Sequence, residues 1–257
     1  MNPKLQNALL RSYAGLHATG VLSTAPGRWA FSRAYNLYKA KFEAPSADGL
    51  KTLIAPGATV VDIGANVGFF TRRFARWVGA DGMVLALEPE PRNFADLLDV
   101  LREDGTLARV RLFDVAAAEF TGAARLKLNL LHPGDHKLSA DNSGLAVKTV
   151  RLDDLLAERK WPKIALVKID VQGAEERVLD GAAQTLGRVR PAWFVEVDDD
   201  HLRAMGSSAA QLVRRFAAHG YGVHDVAAAG PGPALDFGEV IAALRPGVYR
   251  DLLFKPC

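Results

Sequence analysis

Cysteine is nearly absent from this sequence: the one residue of its type is Cys257. A single thiol excludes an intrachain disulfide and any cysteine-based metal cluster, and it suits a reducing compartment. Long hydrophobic runs are missing as well. No apolar stretch reaches the roughly 20 residues that cross a bilayer. Met1-Asn-Pro-Lys4 leads into no apolar segment with a small-residue cleavage site, so no secretory signal is expected and the chain reads as cytoplasmic. Charge of one sign is not in excess either. A net +3 over 257 residues neither demands nor excludes an anionic partner. The basic residues are scattered and build no aromatic–basic platform, so no nucleic-acid partner is expected. Internal repeats and low-complexity tracts are also lacking. What remains is the composition of an ordinary globular protein, long enough for one large α/β domain or two small ones.

The chain divides into two parts. Residues 1–52 read as an N-terminal helical segment, because Phe31, Tyr35, Tyr38 and Phe42 recur at helical spacing among basic residues. A lid or buttress on the main domain is the favoured role. Contact of residues 28–42 with a membrane or a lipid-linked substrate is the alternative. From residue 53 to 257 short apolar strands alternate with helices. Seven strands are expected, at Thr59–Ile63, Met83–Leu87, Val110–Phe113, Ile164–Ile169, Trp193–Val197, Tyr221–His224 and Tyr249–Phe254. This is the pattern of an α/β fold whose mostly parallel sheet carries helices on both faces. Helical stretches are expected at 69–77, 93–101 and 174–186, and Asp153 and Asp154 read as helix caps. Residues 115–152 break the rule: Arg125-Leu-Lys-Leu-Asn-Leu130 alternates polar and apolar, which marks a small β insertion. Gly230-Pro-Gly-Pro233 reads as a loop.

The chemistry begins at Val61-Asp-Ile-Gly-Ala-Asn-Val-Gly68. In a doubly wound sheet the loop after the first strand lies at the switch point, where ligands bind. Its candidate ligand contacts are Gly64, Ala65, Asn66 and Gly68. A dinucleotide site prefers Gly-x-Gly-x-x-Gly, but Asn66 stands where the second glycine would be. Asp62 just before the loop would repel a phosphate and attract an ammonium. S-adenosylmethionine carries an ammonium and a sulfonium and no phosphate, so it fits this pattern. Glu88 follows the second strand about twenty residues later, the distance at which a carboxylate meets a ribose diol. Asp114, after the third strand, is placed to accept from an adenine amino group.

Methyl transfer from such a cofactor further requires an oriented acceptor, and a hydroxyl acceptor, which the family resemblance given below implies, must lose its proton. Asp170, at the end of the strand 164–169, is the leading catalytic candidate. Lys168 shares its strand face and, if buried, needs a carboxylate partner. Glu196 at the neighbouring strand end is a weaker candidate of the same kind. His132 and His136 lie in the insertion and could reach over the cleft as a base; the preference for His136 is what the family resemblance given below implies. A metal held by Asp170, Glu196 and a histidine has no compact ligand motif behind it, and none is expected.

These pieces resemble the FkbM-type family of S-adenosylmethionine-dependent methyltransferases. The resemblance rests on Val60-Val-Asp-Ile-Gly-Ala-Asn-Val-Gly-Phe-Phe-Thr71, Glu88-Pro-Glu-Pro-Arg-Asn-Phe94, Val150-Arg-Leu-Asp-Asp-Leu-Leu156 and Val167-Lys-Ile-Asp-Val-Gln-Gly-Ala-Glu175. Arg190-Pro191 followed by Trp193-Phe-Val-Glu196 is similar too. The resemblance covers roughly residues 54–200. It implies a Rossmann-like class I methyltransferase that methylates a hydroxyl of a sugar, glycan or other natural product. It also implies a cofactor held by Asp62, Gly64, Asn66, Gly68 and Glu88. Gln172 departs from the family's usual glutamate and cannot serve as a base. Two alternatives stand beside this reading: a nucleotide-dependent oxidoreductase, disfavoured by Asn66, and a catalytically weak cofactor-binding protein, motivated by Gln172.

Overall fold

The computed structural model describes Thr24, Gly27 and residues 44–129, 136–139 and 143–257. The expected aromatic helix through Phe31 to Phe42, and His132, lie outside the described residues. Twelve strands form two sheets among the described residues. In chain order they are β1 Thr59–Ile63, β2 Met83–Leu87, β3 Val110–Phe113, β4 Val115–Ala117, β5 Gly122–Lys127, β6 Lys137–Leu138, β7 Leu145–Val150, β8 Ile164–Ile169, β9 Ala192–Asp198, β10 Tyr221–Ala227, β11 Gly230–Leu235 and β12 Tyr249–Pro256.

The large sheet runs β11-β10-β12-β9-β8-β1-β2-β3. Strands β3, β2, β1, β8 and β9 are parallel neighbours, and β12 and β11 pair antiparallel with theirs. Alternate residues of each central strand enter different cores. Val61, Ile63, Val167, Ile169 and Val195 pack on one face, with Leu212 and Phe216 of the helix Ala209–Ala218. Val60, Leu166, Phe194 and Leu253 pack on the other, with Phe70 and Phe74 of the helix Phe69–Trp77. Both faces are covered, which is why these strands are apolar throughout. This is the Rossmann-like α/β fold with β1 and β8 at the switch point, since the chain builds outward from β1 to β3 and then returns to add β8 and β9 on the other side.

The sheet has eight strands, not the expected seven. The eighth is β11, formed by the Gly-Pro-rich segment that local composition marks as a loop. It pairs antiparallel with β10 at the sheet's margin. Proline lacks a donor and is tolerated on an edge strand, where one side of the ladder needs no partner. The helical stretch expected over 174–186 is also divided, into a helix Glu175–Asp180 and a wider turn Thr185–Val189. Asp153 explains the second piece. It caps no hydrogen bond of its own helix, Leu152–Ala157. It is instead buried and accepts from Gln184 N at 2.8 Å, Thr185 N at 2.9 Å and Thr185 Oγ1 at 2.7 Å.

The insertion forms the second sheet, in order β4-β7-β5-β6. Its inner face, with Ala116, Leu126, Leu138 and Val147, closes over Ala174 at the head of the helix Glu175–Asp180. Among the described residues no helix is long and apolar enough to cross a membrane.

Candidate functional site

The loop leaving β1 is shaped by one glycine. Gly64 adopts φ +76°, and a Cβ there would lie 1.9 Å from the Asp170 carbonyl oxygen. The chain leaving β1 and the chain leaving β8 therefore cross in contact, and only glycine fits. Gly64 N and Ala65 N both donate to Leu87 O, at 3.1 and 3.0 Å, which ties the loop to the end of β2. Ala65 itself is buried. Asn66, at φ +50°, turns its own N–H onto Glu88 Oε2 at 2.8 Å, and its side chain accepts from Val67 N at 2.7 Å. Gly68 then caps the helix Phe69–Trp77.

Glu88 is the loop's counterpart across the cleft. Its second oxygen accepts from Glu90 N at 2.9 Å, and the side chain is buried. Burial pushes its carboxyl up to about 7, against the opposing pull of the two N–H donors. Glu90 in turn accepts from Asn93 N at 2.6 Å and caps the helix Pro91–Glu103, so its acid is structural.

Beneath the loop sits a buried charge network. Asp62 is fully buried, accepts from Thr71 Oγ1 at 2.6 Å and faces Lys168 Nζ at 3.4 Å. Lys168 donates to Gly64 O at 2.8 Å, lies 3.5 Å from Asp170 Oδ2 and stands over the Phe70 ring. One ammonium thus joins the acid of β1, the cofactor-loop backbone and the acid after β8. Asp170 also accepts from Gln172 Nε2 at 2.9 Å, and the same nitrogen donates to Glu196 Oε2 at 2.7 Å. Glu175 folds back onto this turn and accepts from Gly173 N at 3.1 Å. Burial raises its carboxyl to about 7.

A cleft of about 600 Å³, open mouth included, gathers Gly64, Asn66, Glu88, His136, Asp170 and Gln172 against an apolar wall that includes Val115 to Ala117, Leu126 and Leu138. It opens at the carboxyl ends of β1, β2 and β8, where ligands bind in doubly wound sheets. Glu196 lies one strand further, in an adjoining pocket shared with Asp170, Lys168, Tyr249 and Asp251. Four of the expected contacts, Asp62, Ala65, Gly68 and Asp114, do not line the cleft. Asp62 lies under the loop and does not line the cleft. Asp114 is exposed and paired with Lys148 Nζ at 2.8 Å, whose ammonium holds its carboxyl below the usual range. His136 does line the cleft, with Nδ1 accepting from Asn129 N at 3.1 Å. In the neutral ring the proton then sits on Nε2, so the ring is a donor.

Glu175 and the bridging role of Gln172 are not among the expected site residues. Glu175 carried a signal, since an acid five residues past a strand-end Asp opens the next helix. The Gln172 bridge depends on a left-handed backbone, φ +54°, that composition does not announce.

The family described as methyltransferase FkbM domain matches residues 62–223. The 2-O-methyltransferase NoeI of Sinorhizobium fredii is 30% identical over 57% of this chain and 66% of its own length. The 31-O-demethyl-FK506 methyltransferase FkbM of Streptomyces tacrolimicus is 31% identical over 50% of this chain and 60% of its own. The hexuronic acid methyltransferase AglP of Haloferax volcanii is 30% identical over 50% of this chain and 51% of its own. The chain thus spans between half and two thirds of these relatives' lengths. The family match covers well over half of this chain, including the β1 loop, Glu88, Asp170 and Glu196, and so the chain belongs to the FkbM methyltransferase family.

Proposed function

We propose that this chain transfers the methyl group of S-adenosylmethionine to a hydroxyl of a sugar, glycan or other natural-product acceptor. The observation that carries the reading is the charge of the cleft. Among the described residues that line it, Glu88 and Asp170 are acids and none is lysine or arginine. A pyrophosphate would meet two acids and no lysine or arginine. A cofactor with a sulfonium and an ammonium meets complementary charge. The names of the relatives, a 2-O-methyltransferase and a hexuronic acid methyltransferase, support oxygen as the acceptor atom and a sugar as its carrier.

Glu88 would hold the ribose, because each carboxylate oxygen accepts one backbone N–H and keeps acceptor capacity for a hydroxyl. Gly64, Ala65, Asn66 and Gly68 would shape the amino-acid end, with Asp62 acting from below through Lys168 and Thr71. The apolar residues Val115 to Ala117 would take the adenine face in place of a contact from Asp114. S-adenosylmethionine supplies the electrophilic methyl group when bound. Asp170 would orient the acceptor hydroxyl and receive its proton. His136 would donate a hydrogen bond from the insertion side, and the sheet β4-β7-β5-β6 would keep water out. Glu196 would act beside Asp170 through their shared amide.

Calorimetry with S-adenosylmethionine and with NAD tests the cofactor. Mass spectrometry of free glycans, lipid-linked saccharides and polyketide alcohols after incubation then tests the acceptor. The lipid-linked group is included because the basic and aromatic residues of 28–42 suit a membrane surface. A folded chain that binds NAD and ignores S-adenosylmethionine refutes the reading.

A further inference from the structure

The turn that carries Asp170 to the cleft, residues 170–174, has backbone neighbours on two sides. A Cβ on Gly64 would lie 1.9 Å from the Asp170 carbonyl oxygen, and Asp170 N donates to Ile63 O at 3.1 Å. At the far end Gly173, at φ +104°, passes close to the helix Asp199–Ala204, where a Cβ would lie 2.4 Å from His201 O. Neither approach leaves room for the turn to slide toward its neighbour.

Glu175 gathers the same turn from within. Gln172 at φ +54° and Gly173 at φ +104° curl the chain. The N–H groups of Val171 and Gly173 then meet on one oxygen, Glu175 Oε1, at 3.4 and 3.1 Å. A concavity of backbone N–H groups of this kind receives an anion. Gly173 is buried, so its N–H needs a partner inside the protein. Glu175 is itself 2% exposed and does not line the cleft, whereas Val171, Gln172 and Ala174 do. The acid therefore reaches the chemistry only through the backbone it gathers.

We propose that Glu175 is a positioning residue: its carboxyl seats the N–H groups of Val171 and Gly173, fixes the turn 170–174, and so sets the direction in which Asp170 meets the acceptor. The seat rests on the geometry alone, and its purpose rests on the methyl-transfer reading. Displacing a reacting group by about 1 Å costs on the order of 100-fold in rate, so loss of the seat is read in kcat.

The first measurement is amide hydrogen exchange of the full chain without ligand, followed residue by residue by NMR. Glu175→Met fills much of the same space and accepts no comparable hydrogen bond. The Val171 and Gly173 amides should then exchange about tenfold faster or more, the equivalent of one lost hydrogen bond. Glu175→Gln keeps the accepting oxygen and should leave both amides as protected as in the parent. Parent-like protection in a folded Glu175→Met chain overturns the seat, and so does lost protection in Glu175→Gln.

The second measurement is turnover on an accepted hydroxyl substrate. Glu175→Met should lose about 100-fold in kcat, with the KM for S-adenosylmethionine within about threefold of the parent. Glu175→Gln should keep kcat within about threefold. A purely structural acid would lower the melting temperature and leave the kcat of the folded chain alone, and that result overturns the positioning role. The double variant Asp170→Asn/Glu175→Met should be no slower than Asp170→Asn, because Glu175 acts through Asp170; losses that multiply overturn that route. Where Glu175→Met fails to fold, Glu175→Gln decides, and a lost kcat there overturns the proposal. A parent chain that binds no S-adenosylmethionine would sink the methyl-transfer reading, and the ligand-free exchange rates would still decide the seat.

Discussion

Lys168→Met is the change with the largest expected effect on the folded chain. Lys168 is 3% exposed and Asp62 is 0% exposed, so neither charge has water to fall back on. Removing the ammonium leaves Asp62 with Thr71 as its hydrogen-bond donor, on the oxygen that does not face Lys168; that other oxygen, Oδ1, accepts no hydrogen bond. It also strips the Gly64 carbonyl of its 2.8 Å donor. Breaking a buried pair from one side costs about 3–5 kcal/mol, which for a domain of this size lowers the melting temperature by roughly 6–20 °C. Urea denaturation at pH 7, followed by circular dichroism, measures the loss. The double variant Asp62→Asn/Lys168→Met removes both charges and should be more stable than Lys168→Met alone by about 1 kcal/mol or more. A single variant within about 1 kcal/mol of the parent would behave like a surface ion pair. That result would refute the view that Lys168 holds the β1 loop and the β8 end together.

Glu88→Ala should weaken S-adenosylmethionine binding by about 1.5–3 kcal/mol, the range for a charge-assisted contact, read by calorimetry on the folded variant. Unchanged affinity would remove the ribose assignment. Asp170→Asn keeps the shape and removes the basicity, so turnover should fall about 100-fold or more, roughly 2.7 kcal/mol in the barrier, with cofactor affinity nearly intact. Near-normal turnover would instead leave Asp170 a structural acid. Glu175 titrates at about 7 in the folded chain because it is buried, against about 4.3 when exposed. A raised folded pKa means stability that is present at low pH and lost as pH climbs through 7. Glu175→Gln keeps an acceptor for Gly173 N and titrates nothing. Its stability relative to the parent should therefore rise between pH 5 and pH 8, by on the order of 3 kcal/mol in chemical denaturation. A flat difference would show that the acid is already ionised in the fold.

The central sheet was legible because burial on both faces leaves a local signature. Val60-Val61 and Leu166-Val167 are adjacent apolar pairs, and each member enters a different core. Strands β1, β2, β3 and β8 begin and end where apolar runs and turn residues place them. The margin was harder. Prolines 231 and 233 argue against a strand anywhere except at an edge, and which segment forms an edge is decided by the whole sheet order. The expected helix 174–186 runs through Thr185 and Leu186, because the residue that holds the wider turn there, Asp153, lies about thirty residues earlier in the chain.

The acids of the site divide along the same line. Glu88 follows the last residue of β2 and precedes Pro89, where alternation no longer dictates direction, so it can turn into the cleft. Asp62 lies within β1, and strand parity puts it on the face of Val60, under the helix Phe69–Trp77. Parity likewise puts Lys168 on the face of Leu166. Both facts are local and readable. The register that sets Asp62 opposite Lys168 joins residues more than a hundred positions apart, and nothing near either residue encodes it. An acid beside a glycine loop therefore reads as a ligand contact until the strand pairing supplies its lysine. The distinction matters for chemistry, because an acid already facing a buried ammonium holds a loop in place, whereas Glu88, met by backbone N–H donors, keeps its acceptor capacity for a ligand.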